Sequence, residues 1–308
     1  RWNAISRIDI LESPAVRFAP GLSLLYEKQL PRQLGLSIDG DELTAITHFK
    51  TAQDQSLEFL SFLPSSFAYS TVKTPKVLII EPKGGLDVLS AFVHEATQIK
   101  VIESNPLIKT ILSKDLSSFT GSLYQKKKIH IVSSNSRAAL RKEKENYDLI
   151  VLSLTNVFGS TGTGIHGFGE KYLYTIDSFI DILNRLSPDG MVSMSLYLLP
   201  PPRQEVRILA SWIEALEKSQ KEPASHLMAI RSWGTISYFV KNKPFSEPEI
   251  QKLKKHSKKY LFDLVYYPGI KPEEANINNR YETPLYYNIT NQLLSSLKRV
   301  KFYQDYLF

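Results

Sequence analysis

Between Thr74 and Leu196 the chain alternates short apolar runs with amphipathic stretches. The apolar runs at 77–80 and 149–152 have the length of buried strands. The pattern predicts a first strand over 76–81, then Gly84 and Gly85, then a helix over 87–96. Residues 99–103 form the next expected strand, and Pro106 opens a helix, as proline does in a first turn. A third strand over 128–132, a helix over 137–144 and a fourth strand over 147–154 come next. A glycine-rich loop spans 158–169. Helical periodicity then runs over 172–186, stops at Ser187-Pro188-Asp189-Gly190, and gives way to a fifth strand over 191–196. Strands alternating with helices of this length imply right-handed crossovers and a parallel sheet covered on both faces.

The flanks read differently. Residues 8–11 are short and β-branched, and 34–41 alternate apolar with small or polar residues before an Asp-Gly turn. Residues 43–46 continue that hairpin, so 1–70 is expected to be a small β region ahead of a larger unit over 71–308. Beyond the fifth strand, a helix is expected over 203–219. A hairpin is expected from 226–230 and 235–240 around Ser232-Trp233-Gly234, then a basic helix over 245–259 and a last helix over 291–308. A hairpin closing an otherwise parallel sheet fits the methyltransferase-like variant of the doubly wound fold. The expected class is therefore α/β: a Rossmann-like, mostly parallel sheet with an antiparallel hairpin, behind a small N-terminal β region.

Composition narrows the chemistry. No run of about 18 apolar residues is present, so no stretch reads as a membrane-spanning helix. There are 38 basic and 31 acidic residues, for a net charge of +7. That balance describes a moderately basic surface, or one drawn to an anionic partner such as a lipid headgroup layer. It argues against a polycationic substrate. With no cysteine, disulfides, thiolate metal sites and cysteine nucleophiles are excluded. The six histidines are scattered without metal-ligand spacing. Basic residues gather at 126–128 and at Lys252, Lys254, Lys255, Lys258 and Lys259. These read as a solvated loop and helix face. With Leu253 and Tyr260 between them, the second run also suits an anionic membrane surface. No basic-aromatic platform is present, which disfavours nucleic acid. The chain starts at Arg1 without a signal peptide and stops mid-element at Tyr306-Leu307-Phe308, as a piece of a longer protein would.

Four places carry candidate chemistry. Ligands of doubly wound sheets bind beyond the carboxyl ends of the strands, where the loop Glu81-Pro82-Lys83-Gly84-Gly85-Leu86-Asp87 lies. Glycine lets backbone approach a ligand, but it also serves a strand-to-helix turn. The spacing is not G-x-G-x-x-G, so no dinucleotide site is indicated. Glu103, with Ser104 after it, ends the second strand 18 positions beyond Gly85. A carboxylate there can accept both hydrogen bonds of a ribose diol. Ser133-Ser134-Asn135-Ser136 sits where an adenine amino group is often read, and equally where a helix cap is expected. After the fourth strand, residues 153–158 offer Ser153 and Asn156 but no carboxylate, histidine or lysine. His166 is near in sequence but without a nucleophile elbow, which argues against a Ser-His hydrolase.

The segment VLIIEPKGGLDVLSAFVHEATQIKVIESNP resembles the glycine-rich and acidic motifs of spermidine synthases and class I methyltransferases. Tyr147-Asp148-Leu149-Ile150-Val151 is similar to their fourth-strand motif, and EKYLYT and LSPDG are similar to the segments after that strand. RFAPGLSLLY, IDGDELTAIT, LPPPRQEVR and FDLVYYPG are similar to spermidine-synthase-like domains fused to bacterial membrane segments. The likeness covers nearly the whole chain. It implies that Glu81, Gly84, Gly85 and Asp87 form the loop binding S-adenosylmethionine or its decarboxylated form. It also implies that Glu103 with Ser104 holds the ribose, and that Asn135 takes the place of an adenine-reading aspartate. By analogy it implies a homodimer, and a domain on the cytoplasmic face of a longer membrane protein.

The family's aminopropyltransferases end the fourth strand in a D-S-S-D-type motif. Here Ser153 and Asn156 stand in the two acidic places. Neither is a base at neutral pH, and loss of a general base costs about 10²- to 10⁴-fold in rate. Glu170 is the nearby carboxylate that would substitute if the glycine-rich loop folded over the site. Two readings stay open: a diverged S-adenosylmethionine-type transferase, and a non-catalytic ligand sensor or interaction module beside a membrane. A Rossmann-type oxidoreductase is a weaker third.

Overall fold

The computed structural model describes residues 1–40, 42–154 and 172–306. Strands β1 (Ile8–Leu11), β2 (Gln33–Ile38) and β3 (Glu42–Thr47) form a small antiparallel sheet in that order. Three residues, 39–41, link β2 to β3, and Asp39 and Gly40 among them have positive φ, 54° and 77°. The end of this region is helical, against the expectation of β structure alone. A 3-10 segment spans Gln55–Phe62 and helix α1 spans Ser66–Thr71. Phe59 and Phe67 are fully buried there, so tertiary packing overrides the weak local signal.

The central unit runs through β4 (Lys76–Ile80), α2 (Leu86–Val93), β5 (Gln98–Glu103), α3 (Pro106–Thr110), β6 (Ile129–Ser133), α4 (Ser136–Lys142) and β7 (Tyr147–Leu152). Then come α5 (Ile176–Leu183), β8 (Leu186–Tyr197), α6 (Gln204–Lys218), α7 (Pro223–His226), β9 (Leu227–Arg231) and β10 (Thr235–Lys241). The chain closes with α8 (Glu247–Tyr260), β11 (Asp263–Tyr266), α9 (Leu285–Leu294) and α10 (Ser296–Asp305). Among the described residues one sheet has eight strands, in the order β11-β9-β10-β8-β7-β4-β5-β6. β6, β5, β4, β7 and β8 are parallel, whereas β10, β9 and β11 join antiparallel.

The strands are apolar throughout because both faces are covered. Val77, Ile79, Val101 and Leu149 enter one core with α2, α8 and the N-terminal residues Leu36, Ile46 and Phe49. Leu78, Ile80, Ile150 and Leu152 enter the other, with α5, α6 and α9. There Phe179 stacks on Trp212 with centroids 4.0 Å apart. Strand order reverses at β4: β5 and β6 are added on one side of it, then β7 and β8 on the other. The crevice of such a sheet lies at that reversal, beyond the carboxyl ends of the strands.

Three expectations are corrected. The turn expected at 187–190 is an irregularity inside β8: Tyr147 faces Leu186 but Leu149 faces Met191. Gly190 permits it, since a Cβ there would lie 2.7 Å from the Tyr147 carbonyl oxygen. The expected helix over 172–186 shrinks to a 3-10 turn at Tyr172–Tyr174 and to α5. The last helix is two, parted at Ser295. In α8, Leu253 and Tyr260 are buried, so the apolar side of the lysine-rich helix faces the core and not a bilayer. No helix among the described residues is long and apolar enough to cross a membrane.

Candidate functional site

At the end of β4 the chain turns through residues 81–85 into α2. Glu81, Lys83 and Gly85 all have positive φ, at 56°, 49° and 88°. Only the third is the residue type that adopts this region freely. A Cβ on Gly84 would lie 2.4 Å from the carbonyl oxygen of Ala45 in β3, and one on Gly85 would lie 2.3 Å from the Tyr124 hydroxyl. Both glycines are therefore required by the protein's own packing, whatever a ligand asks of them.

Glu103 ends β5 opposite this turn and is 1% exposed. Its Oε2 accepts from the Lys83 amide at 3.1 Å and its Oε1 from the Asn105 amide at 3.1 Å. Burial, reinforced by the neighbouring Glu81 carboxyl, raises its pKa to about 8. The carboxyl of Glu81 reaches across the ends of β5 and β6. It accepts from the Ser104 hydroxyl at 3.0 Å and from the Ser136 hydroxyl. Asn135 caps α4, its Oδ1 accepting from the Ala138 amide at 3.1 Å. The cap reading of this residue holds, and its side chain also borders a cavity.

That cavity, about 350 Å³, is lined by Glu81, Lys83, Glu103, Ser104, Asn135 and Ser136, among others. A second and much smaller cavity, about 40 Å³, lies on the other side of the turn against Gly84, Gly85, Asp87 and Ser153. The expected site residues thus separate into two compartments. Asp87 is the only carboxylate lining the second one among the described residues. Burial raises its pKa, and the adjacent Ser153 hydroxyl offsets part of that shift. The hydroxyls of Tyr69, Tyr124, Ser153 and Ser193 are buried here without well-aligned hydrogen bonds. Burial pushes both tyrosine pKa values up, followed by Asp87 at Tyr69, and by Glu103 and then Asp87 at Tyr124. Sequence reading missed Tyr69 and Tyr124, which sit in no motif and reach the turn only through the fold. Asn156, His166 and Glu170 lie outside the described residues.

No protein-family model matches the sequence, and no curated protein matches it. Solved structures do. A spermidine synthase in complex with the transition-state analogue AdoDATO aligns with a TM-score of 0.53 and 18% identity, over 94% of this chain and 85% of that one. The spermidine synthase from Thermotoga maritima gives 0.54 and 17% over the same shares. A probable spermidine synthase from Corynebacterium glutamicum gives 0.51 and 12%, over 82% of this chain and 84% of its own. The chain has the spermidine synthase fold. At these identities the likeness is one of fold, in which Glu103 ends the strand beside the switch point and Ser153 comes directly after the strand on its other side.

Proposed function

We propose that this spermidine-synthase-like chain binds a nucleoside of the S-adenosylmethionine class, either S-adenosylmethionine or its decarboxylated form, in the larger cavity. The observation that carries the proposal is Glu103, held within hydrogen-bond reach of the turn after β4 on a cavity wall shared with Ser104 and Asn135. A carboxyl at a strand end, across from a tight strand-to-helix turn, suits a sugar diol. Calorimetric titration with S-adenosylmethionine, decarboxylated S-adenosylmethionine and 5′-methylthioadenosine tests it. Binding at millimolar ligand or below is expected, weakened tenfold or more in Glu103→Ala. Absence of heat with all three ligands rejects the proposal.

The smaller cavity favours a second reading, a ligand sensor or interaction module beside a membrane segment at the cytoplasmic face. Among the described residues its one carboxyl is Asp87, which can balance one positive charge, not the several of a polyamine. Ser153 holds the place where a transferase of this fold needs a base. Robust turnover of putrescine or another amine by the purified chain would refute the sensor reading. Loss of that turnover in Glu103→Ala would place the transfer in the proposed cavity.

A further inference from the structure

Glu81 is the least expected residue of the turn. It comes directly after β4 and has a left-handed backbone that a glycine would adopt without strain. Its half-buried carboxyl is nevertheless fully engaged. Oε2 accepts from both the hydroxyl and the amide of Ser104, at 3.0 and 3.4 Å, and Oε1 from the hydroxyl of Ser136. Its hydrogen-bond partners are thus the first residue after β5 and the first residue of α4. Both border the larger cavity, as does Glu103, whose pKa the Glu81 carboxyl helps raise.

We infer that Glu81 is a built-in occupant of the nucleoside seat, its carboxyl standing where the hydroxyls of a bound sugar would go, so that a ligand binds only by displacing it. This rests on the nucleoside reading above. A carboxyl is about the size of a vicinal diol and presents two oxygens in the same plane. Here those oxygens accept from the hydroxyls of Ser104, just after β5, and Ser136, at the start of α4, on the cavity wall that Glu103 shares. A sugar held by Glu103 would compete for those same groups. The left-handed backbone at 81 points the same way, because such conformations persist where the surroundings over-determine them, most often at ligand sites.

Glu81→Gly and Glu81→Gln separate the outcomes. Glycine empties the seat and suits the backbone, whereas glutamine keeps the bulk and one acceptor oxygen but removes the charge. The probe is 5′-methylthioadenosine by calorimetry, with melting temperatures confirming that each variant is folded. Glu81→Gly is expected to bind at least tenfold more tightly than the parent, and Glu81→Gln within about threefold of it. Equal or weaker binding by Glu81→Gly overturns the inference while leaving the nucleoside reading intact. A gain in Glu81→Gln as large as in Glu81→Gly overturns it too, since charge and not occupancy would then be the barrier. No binding by any of the three proteins rejects the nucleoside reading, and the inference with it.

Discussion

Glu103 carries an unusual burden for a carboxyl: it is sealed from water and faces another carboxyl, with two amides as its compensation. Its folded pKa of about 8 stands above the ordinary 4.5. The folded protein therefore holds a proton that the unfolded chain has lost between these values. Stability from this group is full below pH 4.5 and declines as pH rises towards 8. One pKa unit corresponds to about 1.4 kcal/mol, so the window holds about 5 kcal/mol at most. His94 and His256 pull the other way, because burial lowers both their pKa values, that of His256 to about 4. Their contribution is lost as pH falls below the unfolded value near 6.5. The useful quantity is thus the difference between the parent and Glu103→Gln in urea midpoint. The parent's advantage should shrink between pH 5 and pH 8, while Glu103→Gln loses this component. An advantage independent of pH would show that Glu103 is ionised in the fold.

At the scale of elements, the turn after β4 is clamped from two sides, and Gly84 is where the clamp is tightest. The N-terminal hairpin comes so near that a methyl group would meet the backbone of β3, not a movable side chain. Gly84→Ala must push β3 away from α2 and is expected to cost about 1–3 kcal/mol, read as a lower urea midpoint. An unchanged midpoint would mean that the hairpin sits loosely over the turn. This contact also marks how far the sequence could be read. The parallel strands were legible because residues such as Leu78 and Ile79 are apolar whichever face they meet. The hairpin of β9 and β10 was legible from its two strand runs around Ser232-Trp233-Gly234. Ser187-Pro188-Asp189-Gly190 misled, because a turn signal fits a kink within a strand as well as a strand's start. α1 and the segment at Gln55–Phe62 were invisible, since their burial against the large sheet is decided by distant partners. At the candidate site, the positions of Glu103 at a strand end and of the glycines in the turn after β4 were legible from type and spacing. The separation of Ser153 and Asp87 from Glu103 was not, because it depends on which side of one turn each side chain takes.

For the whole molecule, the small sheet is a roof joined to the larger sheet by both apolar and polar contacts. Leu34, Leu36 and Ile46 share one hydrophobic cluster with Val77, Ile79, Phe239 and Leu253. The Ser23 hydroxyl donates to the Tyr260 carbonyl at 2.6 Å, and the Asn105 side chain donates through Nδ2 to the Ser6 hydroxyl at 2.7 Å, two residues from Glu103. Stripping the roof would expose that cluster to water at about 25 cal/mol per Å² of apolar surface, more than a three-stranded sheet alone can offset. The two sheets are therefore expected to unfold together as one cooperative unit, although they are separate in hydrogen bonding. Hydrogen exchange along a urea series reads this directly. Amides of β2 and β3 should lose protection at the same urea concentration as those of β4 and β7. Release of β2 and β3 at clearly lower urea would instead make residues 1–70 a separate module. Gly84→Ala would then act on docking alone and leave the midpoint of the large sheet unmoved. Exchange in that variant tells the two cases apart: a joint shift of both sheets belongs to a single cooperative fold, a shift of β3 alone to a detachable roof.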